Sequence, residues 1–146
     1  MQKSEIKSIY VIGSLRNPEV LDVGNDLRDA GLEVFDDWMA AGPEADDYWK
    51  SYELRRGHSY KEALRGNAAQ HIFQFDKYHL DRVDAVLLVL PAGRSGHLEL
   101  GYAVGTGMPG FILLDQDYKD EGRFYIMYNF SEEVFENPTQ MLEYFK

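Results

Sequence analysis

Two carboxylates stand where the surrounding pattern calls for apolar side chains. Glu99 lies in PAGRSGHLELGYAVGTGMP, residues 91 to 109, which leaves the apolar run Ala85 to Leu90 and enters a helix that otherwise reads as core. A chain leaving a buried strand uses Pro91, Gly93 and Gly96 to turn, but has no structural need for Arg94, Ser95, His97 and Glu99 behind them. Asp76 is the second. At 100° per residue an apolar stripe runs through Ala68, Ile72, Phe75, His79, Leu80 and Val83, and Asp76 falls inside it. A carboxylate facing a core is costly unless it is paired or protonated. Either Asp76 is a buried acid satisfied by backbone or a cation, or the stripe borders a pocket in which Asp76 meets Glu99. Two carboxylates in different environments are the usual equipment for breaking a glycosidic bond.

Two positively charged loops accompany them. Gly13-Ser14-Leu15-Arg16-Asn17 and Pro91 to Gly96 each carry a serine and an arginine, and each leads into a helix N-terminus. Backbone N–H groups, a positive dipole end and two guanidinium groups form an anion site if the loops converge. Short polar loops also contain serine and arginine without any ligand, so convergence is what matters.

The elements that must position these groups alternate between strand and helix. Ile6 to Ile12 reads as a strand, and Glu19 to Ala30 as a helix that Gly31 ends. Leu32 to Phe35 reads as a second strand closed by Asp36-Asp37, followed by a polar, aromatic loop from Trp38 to about Asp47 and a helix over Tyr48 to Arg56. Ser59 and Glu62 form a capping box that opens a long helix to about Val83. Ala85 to Leu90 is a third strand, His97 to Gly105 a helix, Phe111 to Leu114 a fourth strand and Phe124 to Tyr128 a fifth. Asn137-Pro138 caps a final helix. This alternation predicts an α/β, flavodoxin-like or Rossmann-like doubly wound parallel sheet in a single domain spanning residues 1–146. Ligands bind such sheets beyond the carboxyl ends of the strands where strand order reverses, here between the first and third strands, whose exit loops are the two just described.

Composition narrows the function. The chain has 146 residues, 15 basic and 25 acidic side chains and a net charge of −10, which disfavours a nucleic-acid polymer or an anionic membrane surface as partner. It has no cysteine, which removes disulfides, thiolate metal sites and a cysteine nucleophile. No segment approaches a membrane span and the N-terminus lacks a signal peptide's apolar stretch, so the expectation is a soluble, cytoplasmic protein. His97-x-Glu99 begins a zinc deaminase signature whose remaining ligands are missing, and His58, His71, His79 and His97 have no spacing that suggests a metal cage. No metal or cofactor is expected. Gly101, Gly105 and Gly107 do not follow a strand as a dinucleotide fingerprint requires.

These residues resemble the nucleoside 2-deoxyribosyltransferase superfamily, which includes 2′-deoxynucleoside 5′-monophosphate N-hydrolases. The resemblance runs from Ile9-Tyr10-Val11-Ile12-Gly13-Ser14-Leu15-Arg16 through Asp76 and Asp84 to His97-Leu98-Glu99-Leu100-Gly101-Tyr102-Ala103. It implies that Glu99 is a nucleophile, that Asp76, eight residues before Asp84, contacts the base and protonates it, and that Tyr10 belongs to the catalytic group as in the monophosphate hydrolases. Gly93 stands where the nucleoside transferases carry an acid for the sugar 5′-hydroxyl, with Arg94 and Ser95 next to it. An acid lost and a cation gained point to a phosphate. The expected substrate-binding residues are Gly13, Ser14, Arg16, Gly93, Arg94, Ser95, His97 and Trp38, the last as a stacking surface for a base or as an ordinary packed aromatic. The implied reaction is cleavage of a (deoxy)nucleoside 5′-monophosphate through a glycosyl–Glu99 ester, with a small nucleotide or nucleoside as the only partner besides further copies of the chain in a homo-oligomer. Base exchange on free deoxynucleosides is the alternative, and a non-catalytic nucleotide sensor is a rival that would keep Arg16 and Ser95 but would not need both carboxylates. A phosphorelay receiver would need acids where the first strand ends in Gly13-Ser14.

Overall fold

Strand β1 (Ser8–Ile12) is buried along its whole length, which a run of Ile, Tyr, Val and Ile tolerates only at the centre of a sheet covered on both faces. In the computed structural model, which describes residues 5–116 and 123–146, it is central. The chain continues through α1 (Glu19–Asp29), β2 (Glu33–Phe35), a 3₁₀ turn (Asp37–Ala41), α2 (Ala45–Arg55), α3 (Tyr60–Leu64), α4 (Asn67–Arg82) and β3 (Ala85–Val89). It ends with α5 (Arg94–Gly105), β4 (Gly110–Leu113), a second 3₁₀ turn (Ile126–Phe130), β5 (Glu133–Phe135) and α6 (Pro138–Phe145). The five strands form one parallel sheet in the order β2-β1-β3-β4-β5. The fold is doubly wound, and its order reverses between β1 and β3.

Alternate strand residues build two cores. Ile9, Val11, Ala85, Leu87, Val89, Phe111 and Leu113 face α1 and α6. Tyr10, Ile12, Val86, Leu88 and Ile112 face the other way, with Leu80 and Val83 at the end of α4 and Leu100 and Ala103 of α5. At the entry edge, Asp84 accepts hydrogen bonds from the backbone N–H groups of Lys7 (2.9 Å) and Ser8 (3.1 Å), and its own N–H donates to Ser8 Oγ (3.0 Å). This exchange fixes the register of β1 on β3, in which Tyr10 stands between Val86 and Phe35.

Three expectations need correction. The capping box exists, with Ser59 Oγ accepting from Glu62 N–H and Glu62 Oε1 from Ser59 N–H, but it opens only α3. The chain breaks at Gly66 and restarts as α4, because it turns tightly around the buried Glu53; a Cβ at Gly66 would lie 3.3 Å from Ala63 O and 3.5 Å from Glu53 Oε2. The fifth strand is Glu133–Phe135, not Phe124 to Tyr128, which lies largely within the second 3₁₀ turn with Phe124, Ile126 and Met127 exposed. Phe135 instead fills the core, stacked on Phe111 with ring centroids 5.9 Å apart. Finally, the stripe on α4 is not a core face. Ile72 and Phe75 are 57% and 54% exposed, and Leu80 is the buried residue of the helix. Its middle is left largely open, with Ile72, Phe73, Phe75 and Tyr78 all exposed.

Candidate active site

Tyr10 is 1% exposed, yet its hydroxyl needs a partner, and the strand register aims it at α5. It donates to Glu99 Oε2 at 3.0 Å. Burial pushes the Glu99 carboxyl up to about 7, the Tyr10 hydrogen bond acts against that rise, and the charge of Asp76 adds to it. Burial, followed by the charges of Glu99 and Asp76, raises the Tyr10 hydroxyl, so it stays a donor. Asp76, half-buried on α4, is pushed up to about 6 by burial. It has no hydrogen bond or ion pair among the described residues, so neither backbone nor a cation satisfies it. Tyr10, in the middle of β1, thus bonds Glu99 on α5, and the charge of Asp76 on α4 reaches both.

Aromatic side chains border Tyr10 and Asp76. Phe35, at the end of β2, lies 5.0 Å from the Tyr10 ring and is stacked on His79 at 4.0 Å. Phe75 packs 4.7 Å from His79 and keeps half its surface open, one residue before Asp76.

The two loops leave adjacent parallel strands and therefore emerge side by side, but their cations differ. Arg16 is already engaged, donating to Asp47 Oδ2 (3.0 Å) and to Pro43 O (3.3 Å) at the start of α2. Ser14 Oγ accepts from Arg16 N–H, and Asn17 Oδ1 from Glu19 N–H. With Glu19 and Asp22 also in its first turn, α1 offers an anion little. The α5 N-terminus has no side-chain cap and no acid in its first turn, and begins with Arg94, which is exposed and has no partner among the described residues. Ser95 is exposed beside it, and Gly93 leaves open space where a Cβ would stand. Gly13 is packed closely, since a Cβ there would meet Val20 Cγ2 at 2.7 Å.

Two of the expected ligand-binding side chains also hold bonds within the protein. His97 Nδ1 faces Gly93 O at 2.7 Å; a carbonyl only accepts, so Nδ1 carries the proton and Nε2 accepts from Tyr128 Oη at 2.9 Å. Trp38 Nε1–H donates to Val11 O at 2.8 Å, and its indole packs against both cores. Both side chains shape the loops from behind. Among the described residues no three His, Asp or Glu side chains gather as a metal cage requires, and no helix is long and apolar enough to cross a membrane.

The same fold occurs in a 2-deoxyribosyltransferase from the psychrotolerant bacterium Bacillus psychrosaccharolyticus, which superposes with a TM-score of 0.59 at 17% identity over 92% of this chain and 90% of that one. No family model matches the chain. No curated protein matches it either.

Proposed function

We propose that the chain cleaves the N-glycosidic bond of a (deoxy)nucleoside 5′-monophosphate and releases the free base. The observation that carries this reading is the hydrogen bond from the Tyr10 hydroxyl to Glu99, with the Asp76 carboxyl, which has no partner among the described residues, near enough for its charge to raise both groups. Ionised Glu99, held through Oε2 by Tyr10, attacks C1′ of the sugar as the C1′–N bond breaks. The bonding electrons leave with the base, and Asp76 supplies the proton that neutralises it. Water then attacks C1′ of the glycosyl ester and gives a proton to the Asp76 carboxylate; the C1′–O bond to Glu99 breaks, which restores both acids to their starting forms and releases the sugar phosphate. Phe75 offers its exposed ring to the base.

The uncapped α5 N-terminus, Arg94 and Ser95 form the phosphate end, joined by Ser14 and by Arg16 once the ligand draws it from Asp47. Gly93, in the position of the acid that nucleoside transferases use for a 5′-hydroxyl, favours the same end group. The alternative, base exchange on free deoxynucleosides, is favoured by the fold shared with a 2-deoxyribosyltransferase. The exposed apolar face of α4, with Ile72, Phe73, Phe75 and Tyr78 each more than half exposed, supports a homo-oligomer that covers it.

The test is to incubate the protein with nucleosides and their 5′-monophosphates and measure free base, in wild type, Glu99→Gln and Arg16→Ala. Glu99→Gln is expected to lose turnover by several orders of magnitude while keeping ligand binding. A wild-type preference for the monophosphate that shrinks at least about tenfold in Arg16→Ala supports the phosphate end. Free nucleosides cleaved as well or better by the wild type move the reading to base exchange.

A further inference from the structure

We infer that Tyr102, acting with Asp81, is a positioning residue that clasps α4 to α5 and so sets where the Asp76 carboxyl stands relative to Glu99. Its kinetic consequence rests on the function proposed above; its geometric content does not. Tyr102 Oη donates to Asp81 Oδ1 at 2.6 Å, Lys77 Nζ donates to Asp81 Oδ2 at 2.7 Å, and the Lys77 ammonium lies 5.4 Å from the centre of the Tyr102 ring. Each of the three side chains touches the other two, which closes a triangle between the helices. The hydrogen bonds hold Asp81 below the ordinary carboxylate range and Lys77 above the ordinary ammonium range.

The position of this triangle matters more than its strength. Helix α4 leads into β3 and α5 leads away from it, both on the same face of a parallel sheet, so the two helices run in the same direction. Tyr102 follows Glu99 by three residues and shares its face of α5, while Lys77 and Asp81 follow Asp76 by one and five. At a rise of about 1.5 Å per residue the clasp therefore lies about one turn beyond the two carboxyl groups. Little else fixes their separation. Among the described residues the other polar and aromatic ties of α4 run away from α5: Gln70 Nε2 donates to Leu64 O in α3 (3.1 Å), while Arg82 on Glu33 (2.9 Å) and His79 and Phe75 on Phe35 (4.0 and 6.1 Å) reach β2. The buried side chain of α4 is Leu80, at its C-terminal end. An exposed ion pair contributes little to stability, but a displacement of about 1 Å between reacting groups costs on the order of a hundredfold in rate.

Titration of the Asp76 and Glu99 side-chain carboxyl carbons by NMR tests the proposal in the full chain, comparing wild type with Tyr102→Phe. The substitution keeps the ring and removes the O–H donor. If the clasp positions α4, its release admits water and separates the carboxyls, and both midpoints fall by about half a pH unit or more. In turnover, kcat falls about tenfold with KM changed less than about twofold, and this loss disappears in an Asp76→Asn background because the group being positioned is gone. Unmoved midpoints in a folded Tyr102→Phe overturn the proposal, as does a rate loss that persists undiminished in Asp76→Asn. If the wild type cleaves no glycosidic bond, the function is wrong and the midpoints alone decide the clasp. Should Tyr102→Phe fail to fold, Asp81→Asn is read in the same way.

Discussion

Glu99 and Asp76 are both raised by burial, to about 7 and about 6. The productive form needs Glu99 ionised and Asp76 protonated. Its population peaks where the two titrations overlap, with limbs that belong to the pair rather than to either residue. The expected kcat/KM profile is a bell with its maximum between about pH 6 and 7; a flat profile from pH 5 to 9 would remove this pair from the chemistry. The same shifts bear on stability. Because the Glu99 carboxyl binds its proton more tightly in the folded chain than its ordinary 4.5 implies, stability is lost as pH rises from about 4.5 through about 7. Glu99→Gln removes that loss while its amide oxygen still accepts from Tyr10. Its melting temperature should exceed the wild type's by about 3–6 °C at pH 8 and match it at pH 4. Equal melting temperatures at pH 8 would show that Glu99 is not destabilised by its surroundings.

Helix α2 decides how available Arg16 is. Asp47 and Pro43 O hold the guanidinium in place of a ligand, through a pair that is mostly exposed and therefore weak. Asp47→Asn should lower KM for a 5′-monophosphate about two- to fivefold, leave kcat unchanged and leave the free nucleoside unaffected; equal changes for both substrates would place Arg16 outside the phosphate end. Local signals predicted the helices that begin at caps and end at glycines, since Gly31, at φ 99°, ends α1 as expected. They failed where tertiary packing competes. The box at Ser59 and Glu62 gave no warning that the chain must turn around Glu53. Periodicity showed that α4 has an apolar face, but not that Ile72, Phe73, Phe75 and Tyr78 stand exposed on it. Glu99, Asp76 and Tyr10 were legible because a charge or a specific motif stood against a core pattern. The commitment of His97 and Trp38 to Tyr128 and Val11 was not, because residues 31 and 27 positions apart meet only once the sheet is wound. One signal was overlooked: Glu-Val-Phe occurs at residues 33–35 and again at 133–135, and both copies are strands.

For the whole molecule, a net charge of −10 opposes association while an uncharged strip on α4 favours it. The strip holds Phe73 at 55% and Tyr78 at 65% exposure, so a charge placed there leaves the fold of one chain intact. Wild type should travel as two or more copies in light scattering, and Phe73→Glu as a 16.8 kDa monomer; an unchanged mass would leave α4 without that partner. The two Glu-Val-Phe strands bear on what kind of assembly is open to the chain. They form the two borders of the sheet, each three residues long and each beginning with a glutamate, one of which is paired with Arg82. Such borders present too short a row of free backbone groups, and too much charge, to template another strand. The sheet is therefore poorly suited to grow by adding a neighbour's backbone, as fibril-forming proteins do. A second copy would find side chains there rather than free strand edges, and a contact of that kind could form and separate without any strand exchanging its partners.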